Sequence, residues 1–277
     1  MTNAPLWQKR LFLLDMDGTI YLDETLFDGT LDFLDYVRSI GGTYLFLTNN
    51  SSRGVNAYVQ KMARLGIATG REDFLTSVDA LILYLQKNGY ARKRLYAFGT
   101  RSFRQQLEQA GFSITDRLED GIDALVCGFD TELTFQKLED ACILLNRGVD
   151  FIAANPDWVC PTWYGYVPDC GSVCQMLTRA TGRKPVFIGK PEPEMALLAM
   201  ERSGYTKDQT MLIGDRVYTD IACGIRAGID ACLVLSGEST MADVEENEYK
   251  PTCIYENIRT LLTALQAARQ HKRTDRT

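Results

Sequence analysis

The chain has 277 residues, 45% of them apolar and 24% charged, a soluble globular balance with length for two domains or one domain carrying an insertion. A formal charge of −6 argues against a surface for nucleic acid or anionic membrane, and no apolar run approaches the roughly 20 residues a membrane span needs. The single histidine, His271, stands in a basic tail, which disfavours Ser-His-Asp and Cys-His centres, histidine-ligated metals and phosphohistidine chemistry. Met1 to Arg10 lacks a hydrophobic stretch of signal-peptide length, so the expected location is cytoplasmic. The eight cysteines are scattered without a C-x-x-C pair and read as thiols of a reducing compartment.

Leu11-Phe12-Leu13-Leu14 is a continuous apolar run, the pattern of a strand buried in a parallel sheet. Asp15-Met16-Asp17-Gly18-Thr19 follows at once. Alternation along a strand points Asp15 and Asp17 the same way, past the carboxyl end, where ligands of open α/β sheets sit. Two readings compete at this point: paired carboxylates around a metal, or an Asp-Gly turn with a helix cap.

Helical spacing predicts a helix over Thr30 to Ile40, closed by Gly41-Gly42. A strand over Tyr44 to Leu47 runs into Thr48-Asn49-Asn50-Ser51-Ser52, and a helix covers Val55 to Leu65. The alternation continues through helix Val78 to Lys87, strand Leu95 to Phe98, helix Ser102 to Ala110 and strand Ala124 to Phe129. Helix Leu133 to Arg147, strand Phe151 to Ala154, a Pro-rich and aromatic loop Asn155 to Asp169 and helix Gly171 to Thr181 come next. Strand Val186 to Ile188, helix Glu194 to Ser203, strand Met211 to Ile213, helix Tyr218 to Ala227, strand Ala231 to Leu235 and helix Asn257 to Ala268 complete the chain. Strand and helix in turn predict an α/β fold, a doubly wound parallel sheet of Rossmann-like type. So many strands suit two α/β layers, with residues 80–182 inserted into a core made of 1–79 and 183–277.

Three later strand ends resemble the first: Thr48 and Asn49, Gly189-Lys190-Pro191, and Gly214-Asp215 with Asp220 five residues on. Parallel strands would gather them at one edge, giving three or four carboxylates, a hydroxyl, an amide and a lysine. Such oxygen donors suit a hard cation, magnesium first. Lysine and threonine beside it suit phosphate oxygens, and a carboxylate in line with phosphorus can attack it.

These four segments resemble, in order, the four motifs of the haloacid dehalogenase superfamily. Leu47 to Ser52, Ala154-Asn155-Pro156-Asp157, Gly182-Arg183 and Ile188 to Pro191 further resemble its NagD-like phosphatase branch. The resemblance implies a magnesium-dependent phosphatase with an inserted α/β cap, acting on a small phosphorylated metabolite. Sugar phosphates, phosphoglycolate, nucleoside monophosphates and pyridoxal phosphate are the classes it suggests, with p-nitrophenyl phosphate as an artificial substrate. It implies that Asp15 is the nucleophile, and that Asp17 protonates the leaving oxygen and then activates water. Magnesium would be held by the carboxylates of Asp15 and Asp215 and the main-chain carbonyl of Asp17, with Asp220 orienting Lys190 or a water behind them. Thr48, Asn49 and Asn50 would hold phosphate, and Lys190 would neutralise charge on the transferring group. Trp158, Val159, Cys160, Trp163 and Tyr164 are the cap candidates for specificity, packing of the domain interface being the equal alternative. Any homodimer would form through the cap, and no nucleic acid or membrane partner is expected. Family members commonly have glycine where Asp169 stands, which puts the local backbone in question and adds a negative charge near the expected cap mouth. Arg216 reads as an ion-pairing residue, Asp157 as a cap or turn. A phospho-accepting signalling domain and a non-catalytic binding protein are the rival classes; Asp17 and the chain length count against the first.

Overall fold

A computed structural model describes residues 4–162 and 164–274. The chain divides into two compact units. The first comprises Met1–Thr48, Val59–Leu75 and Lys190–Thr277, the second Asn49–Tyr58 and Thr76–Gly189. The second is wider than the expected insert of 80–182. No helix among the described residues is long and apolar enough to cross a membrane.

In the first unit six strands lie in the order Cys253–Tyr255, Asp230–Val234, Thr210–Gly214, Leu11–Leu14, Thr43–Thr48, Phe74–Thr76. Leu11–Leu14 is central and parallel to both neighbours, with Leu14 opposite Ile213 on one side and Phe46 on the other. Every residue of Leu11–Leu14, Thr210–Gly214 and Asp230–Val234 is buried. A strand covered on both faces cannot alternate, which is why the sequence shows unbroken apolar runs there. Phe12 meets Phe33 of helix Thr30–Ser39 edge to face, with centroids 5.4 Å apart. At the amino end of the central strand, Lys9 is wholly buried and pairs with buried Asp230 at 2.5 Å. Its ammonium also donates to the carbonyls of Asp208 and Thr210.

The second unit has a parallel sheet in the order Val186–Phe187, Asp150–Ala153, Ala124–Cys127, Arg94–Phe98, Ser113–Thr115. Its core joins Phe98, Leu125, Leu144, Phe151 and Leu177. The helices open on side-chain caps: Thr76, Thr100 and Thr134 each accept an N–H from three residues ahead. Asp169 does similar work for helix Cys170–Thr181, its carboxylate accepting the Cys170 N–H at 2.5 Å. At φ −101° the position needs no glycine, and the acid is 3% exposed rather than a surface charge.

Two predicted features differ. Val186–Phe187 joins the second sheet beside Ile152 and Ala153, so Lys190 follows a strand of that sheet and not one of the central strand's neighbours. The segment read as a loop, Asn155 to Asp169, holds an antiparallel hairpin, Val159–Thr162 with Gly165–Pro168. Its prolines suit an isolated ribbon, where one side of each strand has no ladder to complete.

Candidate active site

The site grows from the carboxyl end of Leu11–Leu14. Asp15 continues the ladder for one more bond, its N–H donating to the Ile213 carbonyl at 2.9 Å. The chain then turns, with the N–H groups of Thr19 and Ile20 both reaching the Met16 carbonyl. Gly18 takes φ +86°, and a Cβ there would come within 2.4 Å of Asp215 Oδ2, so only glycine passes.

Asp15, Asp215 and Asp220 bring carboxylate oxygens within 4.8 Å of one another. Lys190 lies among them, its ammonium 2.5 Å from Asp15 Oδ1 and 2.7 Å from Asp220 Oδ1. Asp220 gives its other oxygen to the Arg216 N–H at 3.1 Å, so both of its oxygens are engaged. Asp215 accepts the Glu238 N–H at 2.7 Å and faces the Thr19 hydroxyl at 3.5 Å. Lys190, Asp215 and Asp220 are each 2% exposed or less. Burial pushes the Asp15 carboxyl well above the usual range against the pull of Lys190, and Asp220 and Asp215 add repulsion. Burial and then Asp220 push Asp215 up to about 7. Burial alone would lower the Lys190 ammonium, but Asp15 and Asp220 outweigh it and hold it above its ordinary value.

Charge decides what this set can hold. Three carboxylates and one ammonium leave a formal deficit of two positive charges, all on hard oxygen donors. Asp215 sits in a cradle with no spare room: a Cβ on Gly237 would come within 2.0 Å of its Oδ2, closer still than the one on Gly18. The donor set fits a divalent cation such as magnesium.

Asp17 does not join this cluster. The strand ends at Leu14, so alternation no longer governs two residues later. The Asp17 carboxylate accepts the Tyr21 hydroxyl at 3.3 Å on one oxygen and faces the Lys61 ammonium at 3.6 Å on the other. Lys61 in turn covers the Tyr21 ring at 3.8 Å. Neither partner was legible as a site residue in the sequence, although Tyr21 lies only four positions on.

Thr48 is buried at the end of the adjacent strand, whose register brings it to the same carboxyl edge. Asn49 and Asn50 belong to the second unit. Asn49 is 5% exposed and donates its amide to Asp157 at 2.9 Å, while its carbonyl accepts from Asn155 and Ser77. Asp157 therefore holds Asn49, a role that the turn reading of Asn155-Pro156-Asp157 missed. Asn50 folds back on Ser52, accepting its N–H and hydroxyl at 3.0 and 2.7 Å. Of the cap candidates, Trp158 and Tyr164 are exposed and Val159 and Cys160 half-buried on the hairpin; Trp163 lies outside the described residues.

The sequence pattern of the haloacid dehalogenase-like hydrolases matches residues 12–113, and a HAD-hydrolase-like pattern matches residues 187–261. An acid sugar phosphatase from Staphylococcus aureus (strain MRSA252) is 31% identical over 259 residues, 94% of this chain and 99% of that protein. Among solved structures, a 4-nitrophenylphosphatase from Thermotoga maritima is 38% identical with a TM-score of 0.88, covering 94% of this chain and 99% of the other. A glycerol phosphate phosphatase from Mycobacterium tuberculosis, solved in complex with magnesium, is 29% identical with a TM-score of 0.86, covering 94% and 79%. The four ordered motifs, the two-unit α/β architecture and these matches have one reading: the chain belongs to the haloacid dehalogenase-like hydrolase family, among its NagD-like phosphatases.

Proposed function

We propose that the chain is a magnesium-dependent phosphomonoester hydrolase that works through an aspartyl phosphate on Asp15. The observation that carries the reading is the trio of half-buried Asp15 with buried Asp215 and Asp220, Lys190 inside it, two positive charges short of neutrality. Asp15 attacks phosphorus, the bond to the leaving oxygen breaks, and Asp17 gives that oxygen a proton. Asp17, 43% exposed and held by Tyr21 and Lys61, then takes a proton from the water that attacks the acyl phosphate, which frees inorganic phosphate and restores Asp15. Lys190, with Thr48 across the strand edge, neutralises charge on the transferring oxygens. Asp220, with both oxygens engaged, positions Lys190. The carboxylates of Asp15 and Asp215 and the carbonyl of Asp17 would hold magnesium, which would supply further positive charge to the phosphoryl group.

The second unit takes the role of the cap, and Trp158, Val159, Cys160 and Tyr164 are its candidates for contact with the leaving group. Relatives whose names specify sugar phosphate, glycerol phosphate and nitrophenyl phosphate support a small, hydroxyl-rich phosphomonoester as substrate. Asn49 and Asn50 remain candidates for phosphate binding, through whatever donors Asp157 and Ser52 leave them.

The test is p-nitrophenyl phosphate turnover with and without magnesium, for wild type and Asp15→Asn. Turnover should need both the metal and the Asp15 carboxylate. Activity that survives Asp15→Asn would remove the nucleophile, and with it the mechanism.

A further inference from the structure

Asp215 does not hold its own orientation. Its Oδ2 accepts the Glu238 N–H at 2.7 Å, and its main-chain carbonyl accepts the Ser239 N–H at 3.1 Å. Both donors lie on the short connection after strand Asp230–Val234, which reaches across the site through Gly237. A backbone donor is only as well placed as the loop that carries it. Here the loop is fixed by a side chain pointing the other way. Glu238 accepts Arg216 Nε at 2.7 Å on one carboxylate oxygen and the Tyr218 hydroxyl at 3.0 Å on the other. Arg216 and Tyr218 belong to the turn that follows Asp215, and the Arg216 N–H is bound to Asp220.

The contacts run as one chain through the site. Asp215 is bound to the Glu238 backbone, the Glu238 side chain to Arg216, and Arg216 to Asp220. Asp220 and Asp15 then meet at Lys190. The Arg216 and Glu238 side chains are 14% and 29% exposed, and ion pairs that near to solvent add little stability. Their effect falls on geometry. Groups that orient metal ligands from behind tune affinity for the ion.

We propose that Arg216, Glu238 and Tyr218 form a positioning device for Asp215, fixing the Gly237–Glu238 backbone so that the carboxylate is preorganised for magnesium. This rests on the magnesium-dependent reading above and extends it to residues that touch neither ion nor substrate. The sequence motif that carries Asp215 ends at Asp220, whereas the device reaches 18 residues further, to Glu238.

The test is isothermal titration of magnesium chloride alone into full-length wild type, Glu238→Ala, Arg216→Met and Tyr218→Phe, with kcat measured at saturating magnesium. Glu246→Ala, on the following helix Met241–Glu246, is the control. Glu238→Ala and Arg216→Met should weaken magnesium binding about tenfold while kcat at saturation stays near wild type. Tyr218→Phe, which removes one hydroxyl, should lie between them and wild type and covers the case in which a larger change unfolds the loop. Glu238→Gln, whose amide oxygen can still accept from Arg216 while its NH2 donates to the Tyr218 hydroxyl, should restore most of the affinity. Unchanged affinity in both Glu238→Ala and Arg216→Met would overturn the proposal, as would an equal loss in Glu246→Ala. Wild type that binds no magnesium would instead defeat the reading on which it rests.

Discussion

Lys190→Met tests the electrostatics of the site most directly. The ammonium is buried, 2.5 Å from Asp15 and 2.7 Å from Asp220, and methionine keeps the length of the chain without the charge. Its removal leaves three carboxylates with oxygens within 4.8 Å of one another. At that separation, with an effective dielectric of about 20, each pair of full charges repels by about 3 kcal/mol. Breaking a buried ion pair from one side costs about 3–5 kcal/mol. Protonation relieves part of this, because burial already favours the neutral forms of Asp15 and Asp215. The expected loss of metal-free stability is therefore about 3–5 kcal/mol at pH 8 and clearly smaller at pH 5. Magnesium should restore more stability to the variant than to wild type. Urea denaturation at both pH values, with and without magnesium, gives the four numbers required. Turnover at saturating magnesium should fall about 100-fold or more, the scale for losing a donor aimed at transition-state charge. A loss of stability equal at pH 5 and pH 8, or turnover within tenfold of wild type, would refute the reasoning.

Asp17→Asn should slow hydrolysis of glycerol phosphate far more than that of p-nitrophenyl phosphate, because nitrophenolate leaves without a proton; kcat measured on both substrates checks it. Asp215 sits at about 7 when folded, against about 3.9 unfolded, so the folded chain binds the extra proton between those values. Its stabilising contribution is complete below about pH 4 and is lost as pH rises toward 7, so the metal-free stability of wild type should fall relative to Asp215→Asn across that window in paired urea titrations. Lys9→Met leaves Asp230 buried without its cation and should cost about 3–5 kcal/mol by urea denaturation, whereas the double change Lys9→Met with Asp230→Leu should recover most of it.

The legible parts of the fold were those whose signal is local. Leu11–Leu14 and Ala231 to Val234 of the strand Asp230–Val234 announce themselves because strands buried on both faces show continuous apolar runs. Phe74–Thr76, Ser113–Thr115 and Cys253–Tyr255 were missed because three residues carry no measurable period, and their pairing comes from neighbours distant in sequence. The hairpin at Val159–Pro168 was hidden by Pro161, Gly165 and Pro168, which locally signal a loop. Val186–Phe187 was read as a strand, but nothing in two residues says which sheet it joins. In the site, Asp15, Thr48 and Asp215 were visible because their parallel strands end at one edge, whereas Lys190 follows a strand of the other sheet. Lys61, Asp157 and Glu238 were not visible, since each reaches its partner from a separate element.

The two aspartates after the central strand show how one short stretch places two acids in different surroundings. Their spacing alone suggested a pair facing one ion, which would couple their charges and make opposite roles difficult. The strand stops before either of them, and the turn at Gly18 separates the side chains. Asp15 remains beside Lys190 and the other carboxylates, where the ammonium pulls against the burial that raises its carboxyl. Asp17 goes to Tyr21 and Lys61, half open to solvent and apart from the carboxylate cluster. The glycine that permits the turn also has no room for a Cβ over Asp215, so one residue both separates the two acids and closes the cradle of the third.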